Sequence, residues 1–479
     1  MIFKLQVVMI AEDGHQETCE IISVERRDLK PETLGLNLAE GKAILKDIQQ
    51  VVIQRQTSVF LEHYRECAHC GRRCASKGYH DMSVRTVFGR LKVKSPRLHH
   101  CDCRPDEAKT FSPLADLLPD HTTPELLYLE TKWASLMSYG LTTELLEDVL
   151  PMDEPLNTFT IRRHVRDVAE RLEQELGEER DCFIEGCQRD WDKLPVPDGP
   201  LTVGIDGGYV RGLPKQGQFE VIAGKSILAF KREPGEKPEL SGRCFAFVQT
   251  YDEKPKRRLF ELLQSHGLQP NQQVAFLSDG GEDVRNVQLY LHPEAEHLLD
   301  WFHVTMRMTV LKQIAKGLPE KVGEGKDQYE LRPRVLDDLE SVKWYLWHGN
   351  VFQALNELQG LEMDLDGVTF ETKDETARKL LKGVEELHTY VERNQAFIPN
   401  YGERYRNGER IATGFVESAV NQVISKRMVK QQQRGWSQRG AHLLLQIRTR
   451  VLNEEWENTF RKWYPAFRPK VQAEAKNAA

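Results

Sequence analysis

Apolar and polar residues divide the chain into stretches of different period. Between Met1 and Ala11 the apolar run is broken by Lys4 and Gln6. It resumes from Cys19 to Val24, which predicts a hairpin turning at Glu12, Asp13 and Gly14. Ile44, Ile48, Val52 and Phe60 recur at helical spacing, so Ala39 to about His63 reads as a helix. The short alternating runs 84–88 and 91–93 predict strands turning at Gly89 and Arg90. Thr123 and Pro124 make a helix start, and Gly140 ends that helix near Ser138. Two more helices follow, Thr142 to Leu150 and Thr158 to about Leu176. Prolines 195, 197 and 200 mark Gly177 to Gly199 as a linker.

From Leu201 the period shortens. Leu201 to Val210, Phe219 to Phe230 and Arg243 to Tyr251 are β-rich, and Lys256 to Gly267 is an amphipathic helix. A strand (Gln273 to Ser278), a helix (Glu282 to Leu291) and a strand (Glu296 to Phe302) complete the unit. The order β-β-β-α-β-α-β is that of the ribonuclease-H-like fold. From His303 to about Gln395 the chain is helical and charged, and Gly414 to Trp463 is amphipathic. The expected architecture is therefore multidomain α/β. Its segments are 1–63 (hairpin and helix), 64–118 (a zinc-ribbon-like β module) and 119–199 (a helical, helix-turn-helix-like domain and linker). The catalytic core begins at 200–316, a helical insertion fills 317–410, and 411–479 carries a glutamate helix and a basic region.

With 40% hydrophobic and 29% charged residues the composition is that of a globular protein, and no run is long enough to span a membrane. No leader pattern stands at the N-terminus, and a cytoplasmic, nucleoid-associated protein is expected. The net charge of −7 argues against nucleic acid only as an average. Glu62 to Arg104 holds 10 Lys/Arg against 4 Asp/Glu, and Asn421 to Arg450 holds 7 Lys/Arg and no acid. Local charge decides affinity for a phosphate backbone.

Two aspartates end apolar runs and precede paired glycines: Asp206, after Thr202 to Ile205, and Asp279, after Val274 to Ser278. An acid at the mouth of a buried strand is costly unless its charge is compensated. Two such sites in one domain suggest carboxylates meeting over magnesium or manganese, with two ions serving an in-line phosphoryl displacement. Each Asp-Gly-Gly is also a plain turn signal. Glu417 opens a helix in which Val420, Val423 and Ile424 share an apolar side; Lys426, Arg427, Lys430, Arg434 and Arg439 follow as candidate DNA contacts. Taken alone, Glu417 is equally an ordinary first-turn glutamate.

Gly204 to Val210, Asp300-Trp301-Phe302-His303, and Glu417 to Arg450 resemble the Kra-type transposases of bacterial insertion sequences, relatives of the Mutator-like superfamily. The resemblance spans roughly Cys67 to Asn453. It implies that Asp206, Asp279 and Glu417, separated by 73 and 138 residues, form a metal-binding triad in a DDE enzyme. The second separation is expected to hold a helical insertion. Asp300 and His303 resemble the [Cys/Asp]-x-x-His signature of that superfamily. His303 would contact a scissile phosphate or orient Asp279, or else be a hydrogen-bonded strand-end histidine. Glu282, Asp283 and Asp300 are alternative acids, and Glu403 and Glu409 are alternatives to Glu417.

Cys67-x-x-Cys70 and Cys101-x-Cys103 suit a structural zinc site, with Cys74, His69, His99 and His100 as competing ligands. Arg85, Arg90, Lys92, Lys94 and Arg97 suit phosphate contacts. Thr160, Arg162, Arg163 and Arg166 would lead the recognition helix of a helix-turn-helix, the alternative being a plain helical linker. Trp436 would either stack on an unpaired base or lie in the core. The expected activity is magnesium-dependent cleavage at element ends followed by strand transfer, acting on double-stranded DNA as a homodimer or higher oligomer. The rivals are an actin-like-fold sugar kinase, whose phosphate loop Gly204 to Gly208 resembles, and a non-catalytic DNA-binding protein derived from a transposase.

Overall fold

In the computed structural model, residues 1–11, 14–103, 109–152, 154–197, 199–228, 242–289, 291–292, 295–323, 328–430 and 435–469 are described. The expected hairpin tip at Glu12 and Asp13, and Arg434, lie outside them. The chain divides into two units, Met1–Ala169 with the residues from Glu454, and Glu170–Asn453. The 411–479 segment, expected as one piece, is split between them.

In the first unit, β1 (Ile2–Ile10) and β2 (Gln16–Glu25) form an antiparallel hairpin. The helix α1 (Leu38–His63) starts where Asn37 and Glu40 cap each other's backbone N–H groups. β3 (Ser76–Thr86), β4 (Gly89–His99) and β5 (Thr110–Phe111) make an antiparallel sheet followed by α2 (Pro113–Leu117). The hairpin turns at Val87 and Phe88 rather than at Gly89 and Arg90, because the Thr86 hydroxyl binds Gly89 O and Phe88 N. Met82, Val84, Val93 and Leu114 form a small core against Ile53, Phe60 and Leu61 of α1. The helices α3 (Pro124–Leu136) and α4 (Tyr139–Val149) follow, and α5 (Thr158–Glu175) begins in this unit and ends in the second. Gly140 lies inside α4 instead of ending a helix, since the Ser138 side chain caps at Leu141 N, 3.1 Å. In the second unit, the described residues between 177 and 199 hold one short helix, α6 (Gln188–Trp191).

The second unit is built on five strands: β6 (Leu201–Arg211), β7 (Gln218–Leu228), β8 (Arg243–Val248), β9 (Val274–Ser278) and β10 (Ala295–Leu299). Their order is β10-β9-β6-β7-β8. β6, β7 and β8 are antiparallel neighbours, whereas β9 runs parallel to both β6 and β10. α7 (Pro255–Ser265) and α8 (Glu282–Gln288) cover one face, burying Leu201, Val203, Ile205, Val274 and Phe276. The last strand is shorter than expected. Asp300 caps α9 (Trp301–Ala315), so Trp301 and Phe302 are helical.

A pair of two-residue strands, β11 (Lys321–Val322) and β12 (Tyr329–Glu330), leads into α10 (Leu331–Trp347), α11 (Val351–Thr372), α12 (Glu375–Arg393) and α13 (Tyr401–Arg406). These helices share one leucine-rich core with α9. α14 (Gly414–Val420) continues into a π-helix, Asn421–Val429, and α15 (Gln438–Leu452) closes the unit. The Arg448 guanidinium, 3% exposed, donates to the carbonyls of Gln422 and Val423 in the π-helix at 2.5 and 2.8 Å. Asn453 binds both backbone groups of Cys244 on β8, at 2.7 and 2.9 Å. α16 (Trp456–Trp463) belongs to the first unit, where Phe460 meets Tyr128 edge-on at 5.3 Å. Among the described residues no helix is long and apolar enough to cross a membrane.

Candidate functional site

The parallel pairing of β6 with β9 sets Leu201 opposite Val274 and Gly204 opposite Leu277. Continued by two residues, that register brings Asp206 and Asp279 side by side. Side chains alternate along a strand. Since Val203, Ile205 and Phe276 point into the core under α7 and α8, both aspartates project from the opposite face.

α14 lies on that opposite face. A Cβ on Gly204 would stand 2.0 Å from Val416 Cγ2, and one on Gly208 would stand 3.1 Å from Ile424 Cδ1. The two glycines flank Asp206 along the strand, so the helix carrying Glu417 passes over it. Glu417 is exposed in the first turn of α14, with its N–H bonded to Thr413 O at 3.1 Å. The helix that carries Glu417 thus lies on the face from which Asp206 and Asp279 project. The ligand atoms of the three acids do not all come within 4.8 Å of one another.

Asp206 accepts the Gly207 N–H at 2.8 Å, and Asp279 accepts that of Gly281 at 2.9 Å. Burial pushes the Asp206 carboxyl above its ordinary range; Gly207 N–H and His303 oppose this, and Asp279 and Asp300 reinforce it. Burial and the charges of Asp283, Asp279 and Asp206 likewise raise Glu220, on β7. No lysine or arginine among the described residues forms an ion pair with Asp206 or Asp279.

Asp300 has a different role. It is wholly buried, and its carboxylate accepts from Phe302 N (2.9 Å), His303 Nδ1 (2.8 Å), Thr413 N (3.0 Å) and the Thr413 hydroxyl. The bond to Asp300 raises the His303 imidazole above its usual range, against the opposing effect of burial. With Nδ1 donating to Asp300, Nε2 is the nitrogen left for chemistry.

α12 reaches the Asp279 turn. Tyr390 of α12 donates its hydroxyl to Asp279 O at 2.9 Å, and the Arg307 guanidinium lies 4.2 Å from the centre of its ring. Gly280 has φ +82°, and a Cβ there would stand 2.4 Å from Asn394 Oδ1. Only glycine fits both conditions. Glu220, Tyr390, Asn394 and Thr413 escaped the sequence reading because their partners lie from 14 to 114 residues away in other segments.

A second ligand group is in the first unit. The sulfurs of Cys67, Cys70, Cys101 and Cys103 lie within 4.8 Å of one another, with Cys67 to Cys103 at 3.6 Å and Cys70 to Cys101 at 3.3 Å. These separations exceed a disulfide bond and approach the ~3.8 Å edge of a tetrahedron with ~2.3 Å metal–sulfur bonds. Backbone N–H groups of His69 and Cys70 lower the Cys67 thiol to about 7, whereas desolvation pushes Cys103 up to about 12. Cys74, His69, His99 and His100 are not part of this group.

Glu173, Asp252 and His442 form a third group, but a cation is built in. Arg258 bonds Asp252 at 2.9 and 3.0 Å and Glu173 at 2.9 and 3.0 Å, and it also reaches Gln446 at 2.7 Å. This is an ion-pair network joining α5, α7 and α15.

Of the candidate DNA contacts, Lys426, Lys430, Arg162 and Arg163 are exposed. Lys430 binds Asn421 Oδ1 at 2.9 Å, Arg163 lies 3.9 Å from Asp167, and Arg439 pairs with Glu170. Arg427 is a correction. It is 1% exposed, with its guanidinium 5.1 Å from the Trp436 ring centre, so it packs against protein. Trp436 is half-buried and joins the end of β6 through Arg211 O and Leu213 N, which favours the core alternative. No protein-family model matches this sequence, and no curated protein matches it either.

Proposed function

We propose that this chain is a DNA transposase of an insertion sequence, cutting element ends and joining them to target DNA by DDE chemistry on a ribonuclease-H-like core. The observation that carries the reading is the β6–β9 register: it aligns Asp206 with Asp279 on the face of the sheet that the Glu417 helix covers. The strand order, with the first strand central, antiparallel to the second and parallel to the fourth, supports the same fold.

Asp206, Asp279 and Glu417 would hold two magnesium or manganese ions. The fit rests on charge and donor type: two partly buried carboxylates, Asp206 and Asp279, with no Lys or Arg partner among the described residues, unlike the Glu173 and Asp252 pair that Arg258 neutralises. When bound, such ions activate the attacking oxygen and stabilise the leaving one. Of the three acids, Glu417 alone has an exposed side chain, and it is the one that would close the site. Asp300 keeps His303 in one tautomer, so that Nε2 can meet a phosphate or a proton in transit. Tyr390 and Asn394 hold the Asp279 turn in place. Lys426 and Lys430 would contact phosphates, and the four cysteines would hold a structural zinc ion. Pairing two DNA ends calls for at least a dimer.

The test is to incubate the protein with the ends of its own element and magnesium and to map the nicks. Asp206→Asn and Asp279→Asn should each abolish cleavage and leave DNA binding intact. Cleavage by either variant within tenfold of the parent would overturn the assignment.

A further inference from the structure

β1 and β2 form a sheet of two strands, so among the described residues no strand pairs with the outer edge of β1. The Arg26 N–H donates to Met1 O at 2.8 Å at one end of the pairing, and the Ala11 N–H to His15 O at 2.9 Å at the other. Along an antiparallel strand, successive residues turn their backbone groups toward the partner and away from it. Odd-numbered residues of β1 therefore face β2, and Ile2, Lys4, Gln6, Val8 and Ile10 send their N–H and C=O groups to the open edge. The pairing has one irregularity, where Leu5 faces Ile22 and Gln6 faces Glu20. The extra residue, Ile21, is on β2, which leaves β1 regular from end to end.

A two-stranded hairpin is marginal by itself, and open edges are ordinarily blunted by proline, by free charge or by bulges. β1 has no proline, and its single charge, Lys4, is paired with Glu20 at 3.1 Å. The surroundings of the edge are apolar. Ile2, Phe3, Val8 and Ile10 on the strand, and Leu29 and Leu36 beside it, are between 50% and 85% exposed. Ile2, Phe3, Leu29 and Leu36 line one groove together with Val24. At on the order of 100 Å² for each large apolar side chain fully exposed, these six offer on the order of 400 Å². Each partner in a standard interface buries ~800 Å², a little over half of it apolar, so the patch matches what a stable pairing needs.

We infer that the open edge of β1 pairs with the same edge of a second copy of this chain, joining two hairpins into one four-stranded antiparallel sheet. A twofold axis makes such an interface self-complementary. Gln6 is the midpoint of the nine-residue strand, so an axis there pairs every residue of β1. Ile2 then meets Ile10 of the second copy, Phe3 meets Met9, Lys4 meets Val8 and Leu5 meets Val7. Apolar residues face one another, and no like charges are opposed. The proposed function calls for two copies at paired DNA ends; this interface needs no DNA, so its failure leaves the catalytic reading standing.

The experiment uses the full-length protein without DNA or divalent metal. Association is read by sedimentation from about 0.1 to 50 μM, which brackets a micromolar dissociation constant. The parent should sediment as a dimer at the upper end. Gln6→Pro removes an outward N–H and no bond to β2, so it should weaken association by about tenfold or more with thermal melting unchanged. Gln6→Cys should cross-link on mild oxidation beyond the level of the parent, because residues opposite each other stand ~5.5 Å apart between Cα atoms, within disulfide reach. Lys4→Cys should not, since its two copies would lie four residues apart along the strands, about 13 Å. A monomeric parent overturns the proposal and means that a partner of another kind covers the strand. So does a Gln6→Pro variant that associates like the parent, or Lys4→Cys cross-linking as readily as Gln6→Cys.

Discussion

The carboxylate of Asp300 receives both the backbone N–H of Thr413, at 3.0 Å, and its hydroxyl. These residues are 113 positions apart, and the bond ties the end of the central sheet to the turn that starts the Glu417 helix. Removing a buried acceptor leaves buried donors unpaired, which costs about 1–3 kcal/mol for each. Asp300→Ala should lower stability by about 2–4 kcal/mol in denaturant unfolding and loosen α14. Unfolding midpoints that coincide with those of the parent would show that the Thr413 bonds contribute nothing.

Gly204→Ala tests whether α14 is seated on β6 as described. The new Cβ would meet Val416 Cγ2 at 2.0 Å, so the helix must shift away from Asp206. The expected result is a loss of cleavage of about tenfold or more, with the fold retained, since a misplacement of ~1 Å can cost ~100-fold. Full activity in this variant would mean that Glu417 need not lie over Asp206.

The His303 imidazole predicts a pH dependence. Its folded-state pKa is raised above the unfolded value of roughly 6.5, chiefly by the bond to Asp300. Proton binding therefore favours the folded state. The stabilisation is fully present below about pH 6.5 and disappears as pH rises through the higher folded value. His303→Gln should flatten that part of the stability profile, and the His303 ring resonance should titrate above an ordinary histidine. A midpoint below 6.5 would contradict the ion pair.

For the cysteine group, the expected readout is metal itself. The purified protein should carry about one zinc ion per chain, and Cys67→Ser or Cys103→Ser should release it and destabilise the first unit, because ligation supplies folding free energy. A parent protein without zinc ends this reading.

Glu417 and the cations behind it should fail in different ways. Glu417→Gln should lose cleavage and keep affinity, whereas Lys426→Ala with Lys430→Ala should flatten the salt slope of binding by up to about 1.8. Arg427→Ala should act through stability, given its burial against Trp436. If Arg427→Ala instead changes only the salt slope, the C-terminal helices are packed differently from the arrangement described.

Local patterns sufficed for the elements near the acids. Alternation and runs of apolar residues located β6 and β9, helical period located α1 and α7, and an Asp-Gly-Gly marked the middle of β6 and the end of β9 as unusual. The Cys67 and Cys70 knuckle was legible for the same reason, since a turn ligand pair is encoded within four residues. What joins distant segments was not legible. The register that aligns Asp206 with Asp279 depends on two parallel strands separated by a crossover, and no local signal specifies it. The choice of Cys101 and Cys103 over Cys74, His99 and His100 required the folded hairpin. Arg427 reads as a DNA contact beside Lys426 and Lys430 because charge is visible in a sequence and burial is not. Asp300 shows the same limit from the other side. As a residue it is one acid among several; only packing gives it four donors and removes it from solvent, turning a candidate ligand into the clamp that holds the site together.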